Sequence, residues 1–433
     1  MVRGVGPRLV WLDRGGRLEM AVLWRRSRGS RRQRAVPVLQ RVRVSNLLLP
    51  CYESVPGRVV FSAPLTWQRL GDGVAEAGPV FAILAGGRDG KFVGNRAHFR
   101  DLIRIARGQD QFVYVLPDDR VDGGDTWLGF VRVRSGVWRQ LPCPQPQAVY
   151  NRIPQRHLER SPVAVRARQT LRERGIPMFN PEYFNKAVLY RVLATSELSH
   201  YLPQSTFSIT SAALGRMLAQ HGGVYLKPVG GSMGHGIMRV ERMHSGYRVQ
   251  VLKKGRTKSL HAANLAEVRQ VVKRERIGGA YVMQAAKPLL DWRGHPCDFR
   301  VLLQKQNGVW RVVGVGVRAA GDGVITTHVP NGGFIVDADS VLHHHFGPRR
   351  GQIAHALERM ACACARRIDQ YYREQLGEMS MDIGVDREGN LWFFEANSKP
   401  MKFDEPEIWR QGLRGTLMHL AERAAAAPAH ARR

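Results

Sequence analysis

The sequence predicts a protein of mixed α-helical and β-strand structure. The first 77 residues contain short strand patterns such as LEMAVLW and PVLQRVRV. From Gly78 on, strand and helix patterns alternate, and from residue 222 to about residue 400 strand patterns predominate. This succession predicts a protein that combines helices and strands in more than one domain.

Length and composition indicate a folded protein of the cell interior. The 433 residues suffice for two or three domains, and 44% hydrophobic with 8% aromatic residues is ordinary for a globular protein. No apolar run reaches the roughly 18 residues of a membrane span, and the first residues lack the apolar core of a signal peptide. The five scattered cysteines argue against a disulfide framework and fit the reducing cytoplasm.

The formal net charge of +30 raises the question of a nucleic-acid or anionic-surface partner. Most of the basic residues are arginines, an excess that a GC-rich genome also produces. The arginines between Arg152 and Arg174 are spread along the segment and do not form a single face. Nucleic acid is therefore a minor alternative, and solvent, a phosphorylated ligand or an acidic polymer is the expected counterpart of the charge.

Composition shifts divide the chain into four predicted segments. These are a basic, mostly β segment (1–77), a small α/β domain (78–158), a larger domain (159–425) and a disordered tail (426–433). In the first, the run RRSRGSRRQR (Arg25–Arg34) is expected to be a solvated loop, with an anionic-surface contact as the alternative. In the second, PVFAILAGG, AHFRDLIRIARG and QFVYVLPDD predict a β-α-β unit, and TWLGFVRVRSGVWRQL predicts a hairpin. In the third, helices are predicted at 262–276 and 352–374, and EPEIWRQGLRGTLMHLAERAAAA predicts a last helix.

The segments MSMDIGV and LWFFEANSKP carry the candidate metal ligands. They flank Asp386–Asn390, which is typical of a tight hairpin turn. In antiparallel strands joined by that turn, Asp382 and Glu395 can face each other, and Asn397 shares a face with Glu395 because the strand period is two. Three oxygen ligands favour Mg²⁺, which usually also takes phosphate oxygens and water. A polar hairpin on a wet sheet face is the alternative.

The segment VYLKPVGGSMGHGIMRV is a candidate phosphate site. Lys227 lies in an apolar strand that is followed by a glycine-rich loop and a second strand. The loop contains Gly230, Gly231, Ser232, Met233 and Gly234. This strand–loop–strand order differs from Walker and Rossmann sites, where a helix follows the loop. The backbone N–H groups of such a loop can close over phosphates, and Lys227 would supply charge; an ordinary flexible hairpin is the alternative.

The segment CDFRVLLQK places Asp298 and Arg300 on one face of a strand. The fork geometry of Arg300 suits a transferring phosphate, and a local ion pair with Asp298 on an exposed face is the alternative. In THVPNGG, Asn331 begins a turn signal and His328 can be a plain loop residue. The run His343–His345 is not expected to hold a metal, because three consecutive histidines converge poorly on a strand or helix.

The order of these segments resembles the ATP-grasp superfamily. The resemblance is carried by FNKAVLY, which opens a helix at Lys186, and by YLKPVGGSMGHGI, YVMQ, CDFRVLL, THVPNGG, MDIGVD and FFEANSKP. More closely, YNRIPQR, FNPEYFNK, DFRVLLQK and EANSKP look like the YheC/YheD-type ATP-grasp proteins, which are known as endospore coat-associated proteins of spore-forming bacteria. The likeness covers about residues 78–425.

The resemblance implies an α+β ATP-grasp fold, in which two α+β lobes clamp ATP after a small α/β domain and the mostly β segment. It implies that Lys186 and Lys227 bind the α- and β-phosphates under the glycine loop, and that Arg300 steadies the γ-phosphoryl group. Asp382, Glu395 and Asn397 would hold Mg²⁺. The resemblance also implies that Met283, Gln284 and Ala285 contact the adenine, largely through their backbone. His328 and Asn331 would lie near the acceptor substrate. Many family members have Glu where this chain has Gln284, and the ribose contact is unassigned, with Asp298 as a candidate.

The resemblance also implies a reaction. ATP-grasp enzymes typically activate a carboxylate as an acyl phosphate, which an amine or a thiol then attacks. We therefore expect an ATP- and Mg²⁺-dependent ligase in the cytoplasm or the spore coat, with Arg300 and Lys227 as catalytic residues. Its expected partners are ATP, a carboxylate or peptide-like substrate and spore coat proteins. A structural coat protein that binds ATP with little catalysis, and a phosphotransferase, are the alternatives.

Overall fold

The computed structural model describes residues 6–24, 40–69, 75–134, 136–229, 235–253, 255–327 and 329–427. These residues form two compact units, one made of those up to Glu182 together with those from Leu413 on, and the other of Tyr183–Gly412. The predicted boundaries after residues 77 and 158 both fall inside the first unit and stay predictions. The basic run Arg25–Arg34 and most of the predicted tail lie outside the described residues.

A sheet of seven strands opens the first unit, as the strand patterns at the start of the chain predict. Its strands are β1 (Arg8–Arg14), β2 (Arg17–Leu23), β3 (Arg41–Val44), β4 (Leu47–Tyr52), β5 (Arg58–Pro64), β6 (Thr66–Arg69) and β7 (Ala75–Gly78). They are ordered β5-β1-β2-β4-β3-β7-β6. Leu9 and Trp11 of β1 are fully buried in the hydrophobic core of this unit.

A second sheet of the first unit is built around the predicted β-α-β unit. Its elements are β8 (Val80–Arg88), β9 (Lys91–Val93), α1 (Arg96–Gly108), β10 (Phe112–Pro117), β11 (Thr126–Arg134), β12 (Val137–Pro144), β13 (Ala148–Asn151), α2 (Arg156–Glu159), α3 (Pro162–Glu173) and β14 (Met178–Phe179). Strand β8 pairs in parallel with β10 and β13, and β11 and β12 form the predicted hairpin. Helix α1 begins after Asn95, whose side chain caps it by accepting a hydrogen bond from the His98 N–H.

The second unit begins with a six-stranded sheet and three helices. The elements are α4 (Lys186–Ala194), β15 (Ser205–Thr206), α5 (Ser211–His221), β16 (Gly223–Pro228), β17 (Met238–Arg242), β18 (Tyr247–Lys253), β19 (Arg256–Ala262), α6 (Leu265–Glu275) and β20 (Tyr281–Ala285). The strand order is β15-β20-β16-β17-β18-β19. Strands β16 and β17 are antiparallel, so the predicted strand–loop–strand arrangement around Lys227 is confirmed. Helix α5 and strand β19 have no counterpart among the sequence predictions.

A second sheet of this unit carries the predicted hairpin. The elements are β21 (Asp291–Trp292), β22 (His295–Gln306), β23 (Val309–Ala319), β24 (Phe334–Val336), α7 (Ala338–Phe346), α8 (Arg350–Tyr371), β25 (Glu378–Val385) and β26 (Leu391–Asn397). The main path of the sheet is β24-β23-β22-β25-β26, and β21 pairs with β22. Helix α8 ends three residues before the predicted Glu374, because Arg373 and Glu374 have positive φ angles of 54° and 58° that a helix cannot continue.

The last helix, α9 (Pro406–Ala426), is present as predicted. All five cysteines are free thiols, in agreement with their scattered spacing. Within the described ranges, no helix is both long and apolar enough to cross a membrane.

Candidate functional site

The second unit contains a cleft with walls from both of its sheets. It holds about 1060 Å³ of space not filled by protein atoms, part of it open to solvent. The predicted site residues that line it are Lys186, Lys227, Gln284, Ala285, Asp298, Asp382 and Glu395. Residues that are far apart in sequence and that the motifs single out for different roles therefore meet in one place.

The β25–β26 hairpin positions the two candidate metal carboxylates. Asp382 and Glu395 are direct cross-strand partners, as the sequence predicts, and an irregularity in register follows immediately after them. The turn is fixed by Asp386, whose carboxylate accepts hydrogen bonds from the Asn390 N–H at 2.8 Å and from Trp392 Nε1 at 2.9 Å. Gly389 adopts a φ of 89° there, a conformation that favours glycine.

Asp382 presents an oxygen that lacks a partner. The residue is 4% exposed, and its Oδ2 lies 2.9 Å from Arg318 Nη2. Its Oδ1 is buried and has no hydrogen-bond partner among the described residues. Burial raises the pKa of this carboxyl, Arg318 opposes the rise and Glu395 adds to it. A buried carboxylate oxygen without a donor is an atom that a hard cation can satisfy.

Glu395 is held by the lysine that opens helix α4. Lys186 Nζ lies 2.7 Å from Glu395 Oε2, and both side chains are a little over one-fifth exposed. The start of α4 is fixed by Asn185, whose side chain accepts hydrogen bonds from the Ala187 and Val188 N–H groups. Asn397 is exposed, and its Nδ2 donates to Glu395 Oε1 at 3.3 Å, so the three predicted ligands are adjacent.

Lys227 is fixed by a neutral partner. Its Nζ donates to Gln284 Oε1 at 2.6 Å, and Gln284 Nε2 in turn donates to the hydroxyl of Tyr190. The pKa of Lys227 is lowered to about 8, mainly by burial and also by the charge of Lys186, while Glu395, Asp382 and Asp298 oppose the shift. The lysine therefore sits where an additional negative group would stabilise its charged form.

Asp298 pairs with a residue that sequence reasoning missed. Arg318, its cross-strand partner, donates to both oxygens of Asp298, from Nε at 2.9 Å and from Nη2 at 2.5 Å. The local ion pair with Arg300 that was the alternative is therefore not how Asp298 is bound. Arg300 is the cross-strand partner of Asp382, but its Nη2 donates to the Met401 carbonyl at 3.1 Å and its guanidinium lies 4.4 Å from the Phe403 ring centroid.

The residues expected at the adenine differ in their placement. Gln284 and Ala285 line the cleft. The Met283 side chain is instead fully buried in the hydrophobic core of the sheet that contains β16 and β20. Met283 can therefore reach a nucleotide only through its backbone. The Gln284 side chain is engaged by Lys227 and Tyr190, so a contact of its carbonyl oxygen with adenine would compete with the lysine.

Several predicted residues lie outside the described part of the chain or away from the cleft wall. Those outside are the loop residues Gly230, Gly231, Ser232, Met233 and Gly234, together with His328. Asn331 is buried, and its Nδ2 lies 3.4 Å from the hydroxyl of Thr326, which does line the cleft. The roles of all these residues stay predictions.

Further cleft residues were not singled out from the sequence. The Lys287 Nζ lies 3.6 Å from the centroid of the Trp392 ring, and the Arg239 Cζ lies 5.6 Å from the centroid of the Tyr225 ring. Arg239 could have been noticed as a charged residue that alternates with apolar ones in IMRVE, whereas Lys287 follows its strand without any periodic signal. Within the part of the chain that the structure describes, no three His, Cys, Asp or Glu side chains are arranged to hold a metal. The predicted Mg²⁺ set differs from such a group because it contains two carboxylates and an amide.

Comparisons with known proteins identify a family and several similar chains. A family model described as YheC/D like ATP-grasp matches residues 175–425. The endospore coat-associated protein YheD of Bacillus subtilis is 25% identical over 78% of this chain and 76% of its own length, and YheC of the same organism is 22% identical over 49% and 58%. Among solved structures, the ATP-grasp ligase PsnB complexed with minimal precursor has 15% identity and a TM-score of 0.44, covering 79% of this chain and 99% of its own. D-alanyl-alanine synthetase A from Vibrio cholerae has 12% identity and a TM-score of 0.46, covering 81% and 99%.

Proposed function

The chain belongs to the YheC/D-like ATP-grasp family, and we propose that it is an ATP- and Mg²⁺-dependent ligase that joins a carboxylate to an amine or a thiol. The family match and the mixed helices and sheets confirm the predicted α+β ATP-grasp fold. One observation carries the proposal: Lys186, Lys227, Asp382 and Glu395, which come from four separate elements, line a single cleft.

The two lysines are suited to bind the phosphates of ATP. Lys186 is the first residue of α4, and the N-terminus of a helix favours an anion. Lys186 is close enough to Lys227 to lower its pKa, and Gln284, the partner of Lys227, supplies no compensating charge. Triphosphate oxygens between them would relieve this repulsion.

The carboxylates are suited to hold Mg²⁺. Asp382 offers its buried Oδ1, which no donor among the described residues satisfies, and Glu395 and Asn397 offer oxygens on the adjacent strand. Bound there, the cation would neutralise charge on the phosphates. Arg300 extends from the strand next to Asp382 and is the candidate for contact with the γ-phosphoryl group, once it leaves the Met401 carbonyl.

The proposed chemistry needs no nucleophile from the protein. A carboxylate oxygen of the substrate forms a bond to the γ-phosphorus, the bond from that phosphorus to the β–γ bridging oxygen breaks, and ADP leaves. The amine or thiol then attacks the acyl carbon, phosphate leaves with the C–O electron pair, and the nucleophile loses its proton to solvent or phosphate. The cleft contributes position and charge, which dominate the catalysis of phosphoryl transfer.

The substrate class is proposed as a peptide or another carboxylate of the spore coat, with His328 and Asn331 near the acceptor. Support comes from the relatives of this chain, which are named endospore coat-associated proteins. The same names favour a second candidate function, a coat component that binds ATP with little turnover. A phosphotransferase would use the same cleft and is distinguished by its product.

The test uses the purified full chain. Unfolding temperature is measured with ATP, with Mg²⁺ and with both, and ADP release is then screened against amino acids and short peptides. We expect ATP with Mg²⁺ to raise the unfolding temperature and one acceptor pair to stimulate ADP release with a new amide or thioester product. Stabilisation without any stimulated turnover would favour the structural candidate, and phosphate retained on the acceptor would favour the phosphotransferase. No response to ATP contradicts all three.

A further inference from the structure

Each carboxylate of the candidate metal site is paired with a basic side chain of the same unit. Glu395 Oε2 lies 2.7 Å from Lys186 Nζ, and Asp382 Oδ2 lies 2.9 Å from Arg318 Nη2. Arg318 simultaneously binds Asp298 through two donors. Much of the negative charge that would attract a divalent cation is therefore already compensated by the protein.

We propose that Lys186 is an internal counter-ion of the metal site, which holds Glu395 until the phosphates of a nucleotide draw the lysine away. A divalent cation then binds tightly only together with a nucleotide. The inference rests on the proposed function and deepens it. It assigns Lys186 a second role, and it couples the binding of the cation to the binding of the nucleotide in the cleft.

The two ion pairs differ in their freedom to rearrange. The side chains of Arg318 and Asp382 are each 6% exposed, and the planar guanidinium of Arg318 is fixed by its bidentate pair with Asp298. The side chains of Lys186 and Glu395 are 23% and 22% exposed, and an ammonium on a four-carbon stem can turn to a new partner. Lys186 is therefore the basic group that can exchange a carboxylate for a phosphate.

Asp382 does not need to exchange its partner. Arg318 occupies Oδ2, whereas Oδ1 is buried and has no hydrogen-bond partner among the described residues. This oxygen can accept a cation while Arg318 stays in place. Metal binding is therefore linked to nucleotide binding through Glu395, which binds either Lys186 or the cation.

Linkage requires the coupling to act in both directions. If phosphates that bind Lys186 favour the metal at Glu395, the metal at Glu395 must favour phosphates at Lys186 by the same factor. Removing the positive charge of Lys186 should then strengthen metal binding to the nucleotide-free protein while it weakens nucleotide binding. A lysine with a phosphate-binding role alone would produce only the second effect.

The experiment measures Mn²⁺ affinity by titration calorimetry and by the electron spin resonance of free Mn²⁺, with and without ADP, corrected for the Mn²⁺ that ADP binds in solution. We expect ADP to tighten Mn²⁺ binding to the unaltered chain about 10- to 100-fold. In Lys186→Met, we expect Mn²⁺ affinity without nucleotide to rise about tenfold and the effect of ADP on it to shrink. Equal Mn²⁺ affinity with and without ADP, or unchanged or weaker Mn²⁺ binding in Lys186→Met, overturns the inference.

A reciprocal variant and a control complete the design. In EDTA, Glu395→Gln should bind ADP more tightly than the unaltered chain, because Lys186 is no longer held by a carboxylate; weaker ADP binding overturns the inference. Lys253→Met removes a similar pair, with Glu275, that is not part of the cleft, and should change neither affinity. Circular dichroism verifies that each variant is folded. If the folded, unaltered chain binds neither Mn²⁺ nor ADP, the proposed function fails; if it binds both without coupling, only this inference fails.

Discussion

Gln284 links the phosphate-binding candidate Lys227 to Tyr190, since its Oε1 accepts from the lysine at 2.6 Å and its Nε2 donates to the tyrosine hydroxyl. Tyr190 lies in α4 four residues after Lys186, and its hydroxyl is 3.3 Å from the Phe393 carbonyl of β26. These contacts join the helix that begins with Lys186, the strand that carries Gln284 and the strand that carries Glu395. The amide of Gln284 is oriented by both partners, so its oxygen faces the lysine.

Replacing Tyr190 by Phe should disturb this connection without changing any charge. The buried Nε2 of Gln284 loses its hydrogen bond to the Tyr190 hydroxyl and is left with the longer one to Ser205 Oγ at 3.4 Å, which costs about 1 kcal/mol of unfolding free energy. We also expect ADP affinity to fall severalfold, because Gln284 can then rotate and release Lys227. Urea unfolding and ADP titration measure both effects. Tyr247→Phe, on strand β18 outside the cleft, is the matched control, and equal behaviour of the two variants would show that the connection has no role.

The pKa of about 8 for Lys227 predicts a pH dependence of nucleotide binding. As pH rises above about 8, the free protein loses the ammonium charge, so ADP affinity in EDTA should fall by up to about tenfold per pH unit. Lys227→Arg keeps its charge and should retain its affinity up to pH 10. Titration calorimetry from pH 7 to 10 compares the two, and the same decline in both would exclude Lys227 as the titrating group.

The same pKa predicts the sign of a stability change. An unfolded lysine has a pKa of about 10.4, so between pH 8 and 10 the unfolded state binds more protons than the folded state. Lys227 should therefore make the nucleotide-free protein more stable as pH rises through this window. The difference in unfolding free energy between the unaltered chain and Lys227→Met, followed by urea unfolding, should move in favour of the unaltered chain from pH 8 to 10. A difference that is flat with pH would contradict the lowered pKa.

Arg318 should be important for stability as well as for the site. Arg318→Met leaves Asp298 and Asp382 buried without their counter-ion, and we expect a loss of about 3–5 kcal/mol in unfolding free energy. The control Arg387→Met removes an exposed pair with Asp291, and there we expect a loss below about 1 kcal/mol. Similar losses in the two variants would mean that the buried ion pairs of Arg318 with Asp298 and Asp382 contribute little to the free energy of unfolding.

The ligand roles of Asp382 and Glu395 predict a specific defect. Asp382→Asn and Glu395→Gln should each lower Mg²⁺-dependent ADP release by at least about 100-fold, while the circular dichroism spectrum is kept. Once an acceptor is identified, steady-state rates over a range of Mg²⁺ concentrations measure this. Unchanged turnover in either variant would contradict the assignment of that carboxylate.

The sequence was informative where a single local rule decides the geometry. A turn signal between two apolar runs predicts the β25–β26 hairpin that brings Asp382 and Glu395 together, and Asn185 before an amphipathic run places Lys186 at the start of a helix. A shift in register between Asp382 and Ile383 then makes Glu395, and not Phe394, the direct partner of Asp382. Together with the order of the motifs, these features were sufficient to predict the family fold. That Asp382 and Glu395 lie in the same cleft as Lys227 could be predicted only from the family resemblance, because it depends on the packing of two sheets.

The contacts of Asp298 and Gln284 could not be predicted, because they depend on long-range register and packing. Asp298 meets Arg318 across the β22–β23 hairpin, whose register shifts at Leu302 and Leu303, and no sequence rule fixes that shift. Tyr190 reaches Gln284 over 94 positions of sequence. In the sequence, Asp298 and Arg300 share one face of a strand, and the alternative of an ion pair between them followed from that placement.

The most direct test of the central claim is an anomalous difference map of crystals of the full chain grown with a non-hydrolysable ATP analogue and Mn²⁺. The account predicts nucleotide in the cleft, with a manganese peak bound by Asp382, Glu395 and Asn397 and with Lys186 turned from Glu395 to a phosphate. Nucleotide bound elsewhere, or a cleft in which manganese contacts none of these three side chains, would contradict it.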